Sequence, residues 1–427
     1  MEIWIEKRMC RSWAKKNGAM INHIYIINEG ARASLIGVGT YIKQLVECFK
    51  NDDTVSLNIV TLKSDCEEFT VRKPDDAVCH IDIPNVSGLT KPKENQLYYR
   101  NVACLLASFI HISVSDRIIF HFNIPAYYLL KNLKKLLPKC DIVYTIHFIS
   151  IWLQDKGNIR LIKDQVNQKQ SSESMNNDEK QMFQEADHII CLSKFTKNLL
   201  IDDYKIAAKK ISLIHNGIKD ERKILSENEK MELKQKWLIP CDEKIIIYVG
   251  RLNKAKGIEI LIHAFKKVVN EIPNSRLVIV GNGDFLHYFK MCKGFWNKIS
   301  FTGVLDKESL YDFYRIADVG VMPSYNEQCS YVAIEMMMHG LSLIGTTTPG
   351  LDEMIDNPAD KMKIVFTDYE VSLSSDHLAE RIIQKLRHNN KKDDYRTVYL
   401  TKYTLDNMYA KTKAVYHLQD NNPSNEV

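Results

Sequence analysis

Short apolar runs alternate with amphipathic helical patterns along almost the whole chain of 427 residues. The runs that predict strands in the first half are 23–27, 55–61, 117–122, 141–146, 188–193 and 209–214. Several of them are separated by segments of helical length, such as VGTYIKQLVECFK and IPAYYLLKNLKKLL. Apolar strands that alternate with helices are typical of parallel sheets covered by helices on both faces.

The second half restarts the same alternation with KIIIYVG at 244–250. In the segment that follows, one helical face is shared by Ile258, Leu261, Ile262, Phe265 and Val269. RLVIVG, DVGVM and LSLIG then predict further strands, with helical segments between them. We therefore expect an α/β chain whose functional residues lie in strand-to-helix loops, because ligands bind beyond the carboxyl ends of parallel strands.

The alternation breaks in the polar stretch 215–237, which predicts a boundary between two doubly wound, Rossmann-like domains. Met20 directly precedes the first strand, so residues 1–19 are expected to be an N-terminal extension. The other expected divisions are an N-terminal domain over 20–216, a C-terminal domain over 217–398, a C-terminal helix over 399–420 and a disordered tail over 421–427.

Composition indicates which classes of binding partner and which cellular compartment to expect. Apolar residues make up 45% of the chain and charged residues 26%, as in ordinary soluble proteins, and no apolar run approaches the ~20 residues of a membrane span. The first residues lack the apolar core of a signal peptide, and the ten cysteines are scattered singly. We therefore expect a cytoplasmic protein with reduced thiols, and the net charge of +5 does not indicate a nucleic-acid partner.

One basic helical segment, YYLLKNLKKLLPK at 127–139, bears on the location. Its lysines would suit weak, peripheral association with the inner membrane surface. The alternative is that its apolar face covers the sheet while its lysines are solvated.

The loop GRLNKAKG at 250–257 joins a buried strand to an amphipathic helix. Arg251 and Lys256 stand where that helix begins, and the start of a helix carries free N–H groups and a partial positive charge. Two cations at such a place predict a diphosphate site that needs no metal. The alternative is a solvated turn whose basic residues have no ligand.

Two glycine-containing loops also follow predicted strands. GNGD carries Gly281 and Gly283, and GVGTY carries Gly37 and Gly39. Because glycine lets a ligand approach the backbone closely, both loops are candidates for contacts with a ligand, such as a phosphate or a sugar at GVGTY. A tight turn in GNGD, and packing of the loop in GVGTY, are the alternatives.

Three side chains complete the candidates. His147 closes the strand DIVYTIH, so we expect it to point into the cleft, with a structural histidine as the alternative. In NEQCSYVAIEMMMHG, Glu327 lies in a loop and Glu335 on the helix that follows. A carboxylate on an apolar helix is costly unless it meets a partner. A pair of sugar hydroxyls would supply a partner for Glu335, and so would a nearby Lys or Arg.

Together these motifs resemble one family. VGRLNKAKG, GNGD, PSYNEQCSYVAIEMMMHG and TTTPGLDE are similar to the donor-binding domain of retaining glycosyltransferases of family 4 type, which have the GT-B fold. In the first half, the glycine loop, ADHIICLSKFTKNLL and IHNGI agree with the family in order and distance. The resemblance covers about residues 21–418. It implies two Rossmann-like domains facing a central cleft, with the last helix crossing back to the N-terminal domain.

The resemblance also implies roles for the matching residues. Arg251 and Lys256 would bind the donor diphosphate and stabilise the leaving group, and Glu335 would bind the ribose hydroxyls. Glu327, the first carboxylate of the E-x7-E pair, and His147 would contact the transferred sugar. The remaining donor-binding positions are Gly37, Gly39, Gly250, Gly281, Gly283, Ser330, Tyr331 and Val332.

Two departures from the family pattern concern the donor sugar. Cys329 and Ser330 stand where the family usually has a bulky aromatic residue followed by glycine. Pro349 replaces the first glycine of the G-G-x-x-E turn that ends at Glu353. Because these backbone positions face the sugar in the family, the resemblance leaves the identity of that sugar open.

The resemblance thus implies a hexosyltransferase in glycan, polysaccharide or glycoconjugate biosynthesis. It would move a sugar from a nucleotide-diphosphate sugar to an acceptor hydroxyl with retention, and would use no metal ion or other cofactor. The nucleotide base, the linkage and the acceptor (a glycan, a lipid-linked molecule or a peptide) stay open. One alternative is a GT-B nucleotide-sugar epimerase, and the other is a catalytically silent GT-B protein that binds a sugar nucleotide or a glycan.

Overall fold

The computed structural model describes residues 20–30, 37–74, 77–86, 92–110, 113, 115–149, 175–366, 371–387 and 393–418. The expected extension over 1–19 and tail over 421–427 lie outside these residues. The described strands are β1 Asn22–Glu29, β2 Val55–Ser64, β3 Thr70–Arg72, β4 Val78–Pro84, β5 Arg117–Phe122, β6 Asp141–Ile146, β7 His188–Cys191, β8 Ile211–Leu213, β9 Lys244–Val249, β10 Ser275–Val280, β11 Ile299–Gly303, β12 Val319–Met322, β13 Ser342–Thr346, β14 Lys361–Met362, β15 Val365–Phe366 and β16 Val371–Ser372.

The described helices alternate with these strands. They are α1 Gly37–Phe49, α2 Pro92–Phe109, α3 Tyr127–Leu136, α4 Met175–Glu185, α5 Lys194–Asp202, α6 Glu227–Lys236, α7 Ile258–Glu271, α8 Phe285–Met291, α9 Lys307–Ile316, α10 Tyr331–Met338, α11 Pro349–Met354, α12 Ser375–Arg387, α13 Asp393–Lys402 and α14 Leu405–Val415. Short 3-10 helices lie at Ala208–Lys210, Lys254–Lys256, Trp296–Lys298 and Pro358–Asp360.

The first sheet has eight strands in the order β3-β4-β2-β1-β5-β6-β7-β8. Its pairings are parallel except that between β3 and β4. In β1, Ile24 and Ile26 pack into one hydrophobic cluster, while Tyr25 and Ile27 pack into another. Both faces of the strand are therefore buried, which is why its sequence is a continuous apolar run rather than an alternating one.

The second sheet has six strands, all parallel, in the order β11-β10-β9-β12-β13-β14. Numbered from β9, this order is 3-2-1-4-5-6, that of a doubly wound dinucleotide-binding sheet. The chain runs outward from β9 in one direction and then returns to start again at β12. The predicted class, an α/β protein with parallel sheets, is confirmed.

The basic segment at 127–139 forms α3. Leu129, Leu130 and Leu133 are fully buried, and Lys134 Nζ lies 2.7 Å from Asp187 Oδ1. The apolar face of this helix therefore contributes to the core. This agrees with the alternative interpretation, in which that face covers the sheet. Within the described ranges, no helix has the length and apolar character to cross a membrane.

The last helix packs against the first half of the chain. α14 contacts α1, and Tyr416, just after α14, lies with its ring centroid 5.4 Å from that of Phe49. The Tyr416 hydroxyl is hydrogen-bonded to Nδ1 of His121, a fully buried residue of β5. The end of the described chain is thereby held against the first sheet by both apolar and polar contacts.

Candidate functional site

The loops after β9 and β12 lie at the centre of the second sheet. β9 and β12 are hydrogen-bonded neighbours, yet their connections lead to opposite sides of the sheet. At such a switch point the loops diverge and leave a crevice at the carboxyl ends of the strands, where ligands bind in doubly wound folds. Arg251 and Lys256 follow β9, and Glu327 follows β12, so the topology brings these candidates to one place.

These two loops are in direct contact. Gly257 has φ +67°, and a Cβ added to it would lie 2.0 Å from the carbonyl oxygen of Pro323. The backbone N–H of Tyr325 donates to the carbonyl of Ala255 over 2.9 Å. Only glycine combines the left-handed conformation with so close an approach, so Gly257 allows the basic loop to pack on the loop that carries Glu327.

Lys256 and Glu327 form an ion pair between Nζ and Oε1. Their side chains are 23% and 12% exposed, so the Glu327 carboxylate is largely withdrawn from water and needs a partner. Arg251 is exposed, and its guanidinium makes no ion pair with a residue that the structure describes. The loop thus presents one cation bound to a carboxylate and one that is free for an anion.

The glycines of the neighbouring loops are explained by backbone packing. Gly281 has φ +140°, and a Cβ there would lie 1.9 Å from the carbonyl oxygen of Gly250. Gly283 has φ +151°, with a Cβ position 2.3 Å from the carbonyl oxygen of Leu252. The N–H of Leu252 donates to the carbonyl of Asn282 over 2.8 Å. This packing needs no ligand, so donor contacts at Gly250, Gly281 and Gly283 stay a prediction.

Helix α10 begins beside Glu327. The side chain of Ser330 caps it by accepting from the N–H of Ala333 over 3.4 Å, and the Ser330 carbonyl accepts from the N–H of Ile334. The first N–H groups of a helix have no intrahelical acceptor. Those of Tyr331 and Val332 therefore point out of the start of α10, where the predicted backbone contacts with a sugar or phosphate would form.

Glu335 lies in the second turn of α10 and is hydrogen-bonded to Tyr314. The Tyr314 hydroxyl donates to Oε2 over 2.9 Å. Burial raises the pKa of Glu335 to about 7, and the Tyr314 hydrogen bond opposes that shift only in part. At neutral pH this carboxyl group therefore exchanges readily between its protonated and ionised forms. A hydroxyl of the protein, rather than the predicted Lys or Arg alternative, is its hydrogen-bond partner.

His147 follows β6 in the first sheet. Its Nε2 is 2.9 Å from Oδ1 of Asn123, and its ring stands edge-on to that of Tyr41 with centroids 4.7 Å apart. Burial lowers the pKa of His147 to about 3, so the imidazole is neutral and Nε2–H donates to the amide oxygen. Tyr41 and the buried Gly39 belong to α1, which places the glycine-loop helix against this histidine.

Three residues that organise these groups were not among the predicted site residues: Gly257, Tyr314 and Asn123. Tyr314 lay in a helix predicted from its apolar pattern, and nothing in that pattern distinguishes a tyrosine that packs from one that also donates to a carboxylate. Gly257 could have been found, because it ends the loop that was already a candidate. Among the described residues, no group of three or more His, Cys, Asp or Glu could hold a metal ion.

Comparison with known proteins agrees with this arrangement. Residues 36–222 match the model "Glycosyltransferase Family 4" and residues 229–397 match "Glycosyl transferases group 1". An uncharacterised glycosyltransferase of Methanocaldococcus jannaschii is 32% identical over 246 residues, which cover 55% of this chain and 60% of that protein. The chain therefore spans less than two thirds of the length of this curated relative.

Solved structures show the same fold at lower identity. Sucrose-phosphate synthase from Thermosynechococcus elongatus superposes with a TM-score of 0.70 over 93% of this chain and 98% of that one, at 20% identity. Anabaena HepE in complex with UDP-glucose superposes with a TM-score of 0.62 over 93% and 100% of the two chains, at 14% identity. The two family matches together span most of the chain, which belongs to the group 1 glycosyltransferases and has their GT-B fold.

Proposed function

We propose that this protein transfers a sugar from a nucleotide-diphosphate sugar to an acceptor hydroxyl, with retention of anomeric configuration and without a metal ion. The observation that carries the proposal is the placement of Lys256, Glu327 and the exposed Arg251 at the switch point of the second sheet. Family membership supports glycosyl transfer, and the UDP-glucose complex of HepE supports this class of donor.

The chemical task is to break a glycosyl–phosphate bond. Negative charge then develops on the departing diphosphate, and fixed cations stabilise that transition state more than the ground state. Lys256 would share its ammonium between Glu327 and a phosphate oxygen, while Arg251 would meet the same diphosphate from the exposed side. In a retaining transfer, the acceptor oxygen attacks on the face that the diphosphate leaves, and a phosphate oxygen takes the acceptor proton.

Two other groups would orient the donor. The ionised form of Glu335 accepts hydrogen bonds, so two ribose hydroxyls would draw it from its mixed state toward the carboxylate. His147 is neutral, with Nε2–H bound to Asn123, so its Nδ1 would accept from a hydroxyl of the transferred sugar. Gly37 and Gly39 would bring the start of α1 toward donor and acceptor. A cytoplasmic location, association with the inner membrane surface and a role in polysaccharide biosynthesis stay predictions.

The test begins with thermal stabilisation of the purified protein by UDP, GDP, ADP, CMP and their common sugars, with and without EDTA. We expect a shift of the melting temperature for one nucleoside diphosphate that EDTA leaves unchanged. Lys256→Met should abolish the shift, whereas Lys254→Met, an exposed lysine of the same loop, should keep it. A full shift in Lys256→Met would contradict the assigned diphosphate site.

Product analysis with the donor that gives the shift then separates the alternatives. Transfer to an acceptor hydroxyl, with the anomeric configuration followed by NMR, supports the proposal. Release of nucleotide with an epimerised sugar and no acceptor would identify the epimerase. Binding without any turnover across an acceptor panel of glycans, lipid-linked sugars and peptides would favour the catalytically silent protein.

A further inference from the structure

The residue that follows Glu327 contacts the opposite half of the molecule. Gln328 is buried, and its Oε1 accepts hydrogen bonds from Ser193 Oγ over 2.9 Å and from Thr196 Oγ1 over 2.7 Å. Ser193 and Thr196 are fully buried and lie at the start of α5, the helix that follows strand β7 of the first sheet in the chain. The loop that carries the candidate sugar-binding carboxylate is therefore seated on a helix of the N-terminal half.

Three further contacts join the same surfaces. The carbonyl of Cys329 accepts from Asn216 Nδ2 over 2.6 Å. The carboxylate of Glu353, at α11, accepts from the N–H of Lys194 over 2.6 Å and meets His215 Nε2 at 2.7 Å. Gln328 and Cys329 therefore both accept hydrogen bonds from residues of the N-terminal half.

The C-terminal half also holds this loop through its backbone. The N–H of Gly350, in α11, donates to the carbonyl of Glu327 over 3.0 Å, and a Cβ at Gly350 would lie 2.2 Å from the carbonyl oxygen of Gln328. The loop is therefore packed directly against the start of α11. A displacement of Gln328 would be passed to Glu327, which is its direct neighbour in the chain.

We propose that Gln328 is a positioning residue, which couples docking of the N-terminal half to the placement of Glu327 against the donor sugar. The inference rests on the proposed function, because it assigns Glu327 to that sugar. Gln328 finds its hydroxyl partners only when the two halves are docked, whereas the Lys256–Glu327 pair lies within the C-terminal half alone. A buried amide oxygen without its donors is costly, so the docked arrangement selects one position of the loop.

The hydroxyl of Thr196 is the group whose removal tests this coupling most cleanly. The cap of α5 uses the backbone N–H of Thr196 and the side chain of Ser193, so Thr196→Val leaves the cap in place. Gln328→Met removes the amide from the other side at similar length, and Thr196→Ser keeps the hydroxyl. Thr412→Val is the matched control, because Thr412 is equally buried and its hydroxyl has no hydrogen-bond partner within the described part of the chain.

Steady-state kinetics with the donor identified above give the first readout. We expect Thr196→Val to lower kcat about three- to tenfold, the effect of one lost hydrogen bond, and Gln328→Met, which loses both hydrogen bonds, to lower it at least as much, with the donor KM changed less than about twofold. The double variant should be no slower than Gln328→Met alone, since that change already removes the hydrogen bond that Thr196→Val removes. Thr196→Ser and Thr412→Val should keep the wild-type kcat. Additive losses, or an unchanged kcat in both single variants, would overturn the proposal.

Hydrogen exchange provides a readout that does not depend on turnover. The backbone amides at 326–330 should exchange faster in Thr196→Val than in the wild type, with those of strand β9 unchanged. Equal exchange at 326–330 would overturn the coupling even in an active enzyme. If Thr196→Val exchanges faster at 326–330 but the wild type transfers no sugar, the proposed function is refuted and the coupling is still supported.

Discussion

Replacing Glu335 by glutamine should change how the stability of the protein depends on pH. Burial raises the pKa of this carboxyl group from 4.5 to about 7 in the folded protein. Between these two pH values the folded chain binds more protons than the unfolded chain, so stability falls as pH rises through this window. Glutamine copies the protonated form, and its oxygen can still accept from the Tyr314 hydroxyl, so the variant lacks this pH dependence.

The size of the effect follows from the shift. One pKa unit corresponds to about 1.36 kcal/mol, so a shift from 4.5 to about 7 makes the ionised carboxylate cost about 3 kcal/mol of unfolding free energy above pH 8. Wild type and Glu335→Gln should therefore differ by less than about 1 kcal/mol at pH 5, near the lower end of this window, where the folded-state carboxyl is protonated. At pH 8 the variant should be more stable by about 3 kcal/mol, because only the wild type carries the charge at this partly buried position.

Urea unfolding of the two proteins at pH 5, 6, 7 and 8 measures this difference. Comparing wild type with variant at each pH cancels the titration of all groups that they share. Tyr314→Phe gives a second comparison. Loss of the hydrogen bond that opposes the shift should raise the pKa of Glu335 further, so the stability of this variant should fall with pH by more than that of the wild type. A constant difference between wild type and Glu335→Gln from pH 5 to pH 8 would refute the reasoning, because it would mean that Glu335 titrates as an ordinary carboxyl group.

Three other predictions follow from single contacts. Gly257→Ala should lower the melting temperature and abolish the donor-induced shift, because a left-handed alanine costs about 1–2 kcal/mol and its Cβ would force the basic loop away from Pro323; unchanged melting and binding would contradict the loop contact. Tyr416→Phe should cost about 2 kcal/mol in chemical denaturation, since it removes a hydrogen bond and leaves His121 Nδ1 buried without a partner. His147 should show no protonation above pH 5 by NMR, because burial keeps its pKa at about 3; titration near pH 6.5 would refute this.

The central strands of both sheets could be predicted because both of their faces are buried. Ile24–Ile27 and Ile245–Tyr248 are continuous apolar runs for that reason, and the helices beside them show a regular apolar face. The prediction was weaker toward the edges of the sheets. Strands β4, next to an edge, and β11, at an edge, were not identified, since VCHIDIP and ISFTG mix polar with apolar residues. Helix α6 lies in a stretch predicted only as a boundary, because it has no buried residue and is fixed by its capping box at Ser226.

The position of the candidate site could be predicted from the order of strands and loops along the chain, but its side-chain contacts could not. Parallel strands place their carboxyl ends together, so the loops with Arg251, Lys256 and Glu327 could be grouped without knowing any side-chain contact. The ion pair between Lys256 and Glu327, which lie 71 residues apart, could not be inferred from the sequence. Either side chain could equally well bind a ligand on its own. The same holds for Gln328, whose partners at Ser193 and Thr196 are more than 130 positions away in the chain.

The Lys256–Glu327 pair also bears on how an anionic donor would gain affinity at this site. A cation that is already neutralised by a carboxylate attracts a diphosphate only weakly from a distance, because the field of the pair is nearly that of a dipole. Arg251 is exposed and has no carboxylate partner among the described residues, so it supplies the unbalanced positive charge that would draw the donor in. Lys256, held in place by Glu327, would then act at short range, where its fixed position stabilises charge on the leaving diphosphate. The two cations are therefore not equivalent: loss of Arg251 should mainly slow donor capture and reduce its salt dependence, whereas loss of Lys256 should remove the short-range contact on which both donor binding and bond cleavage depend.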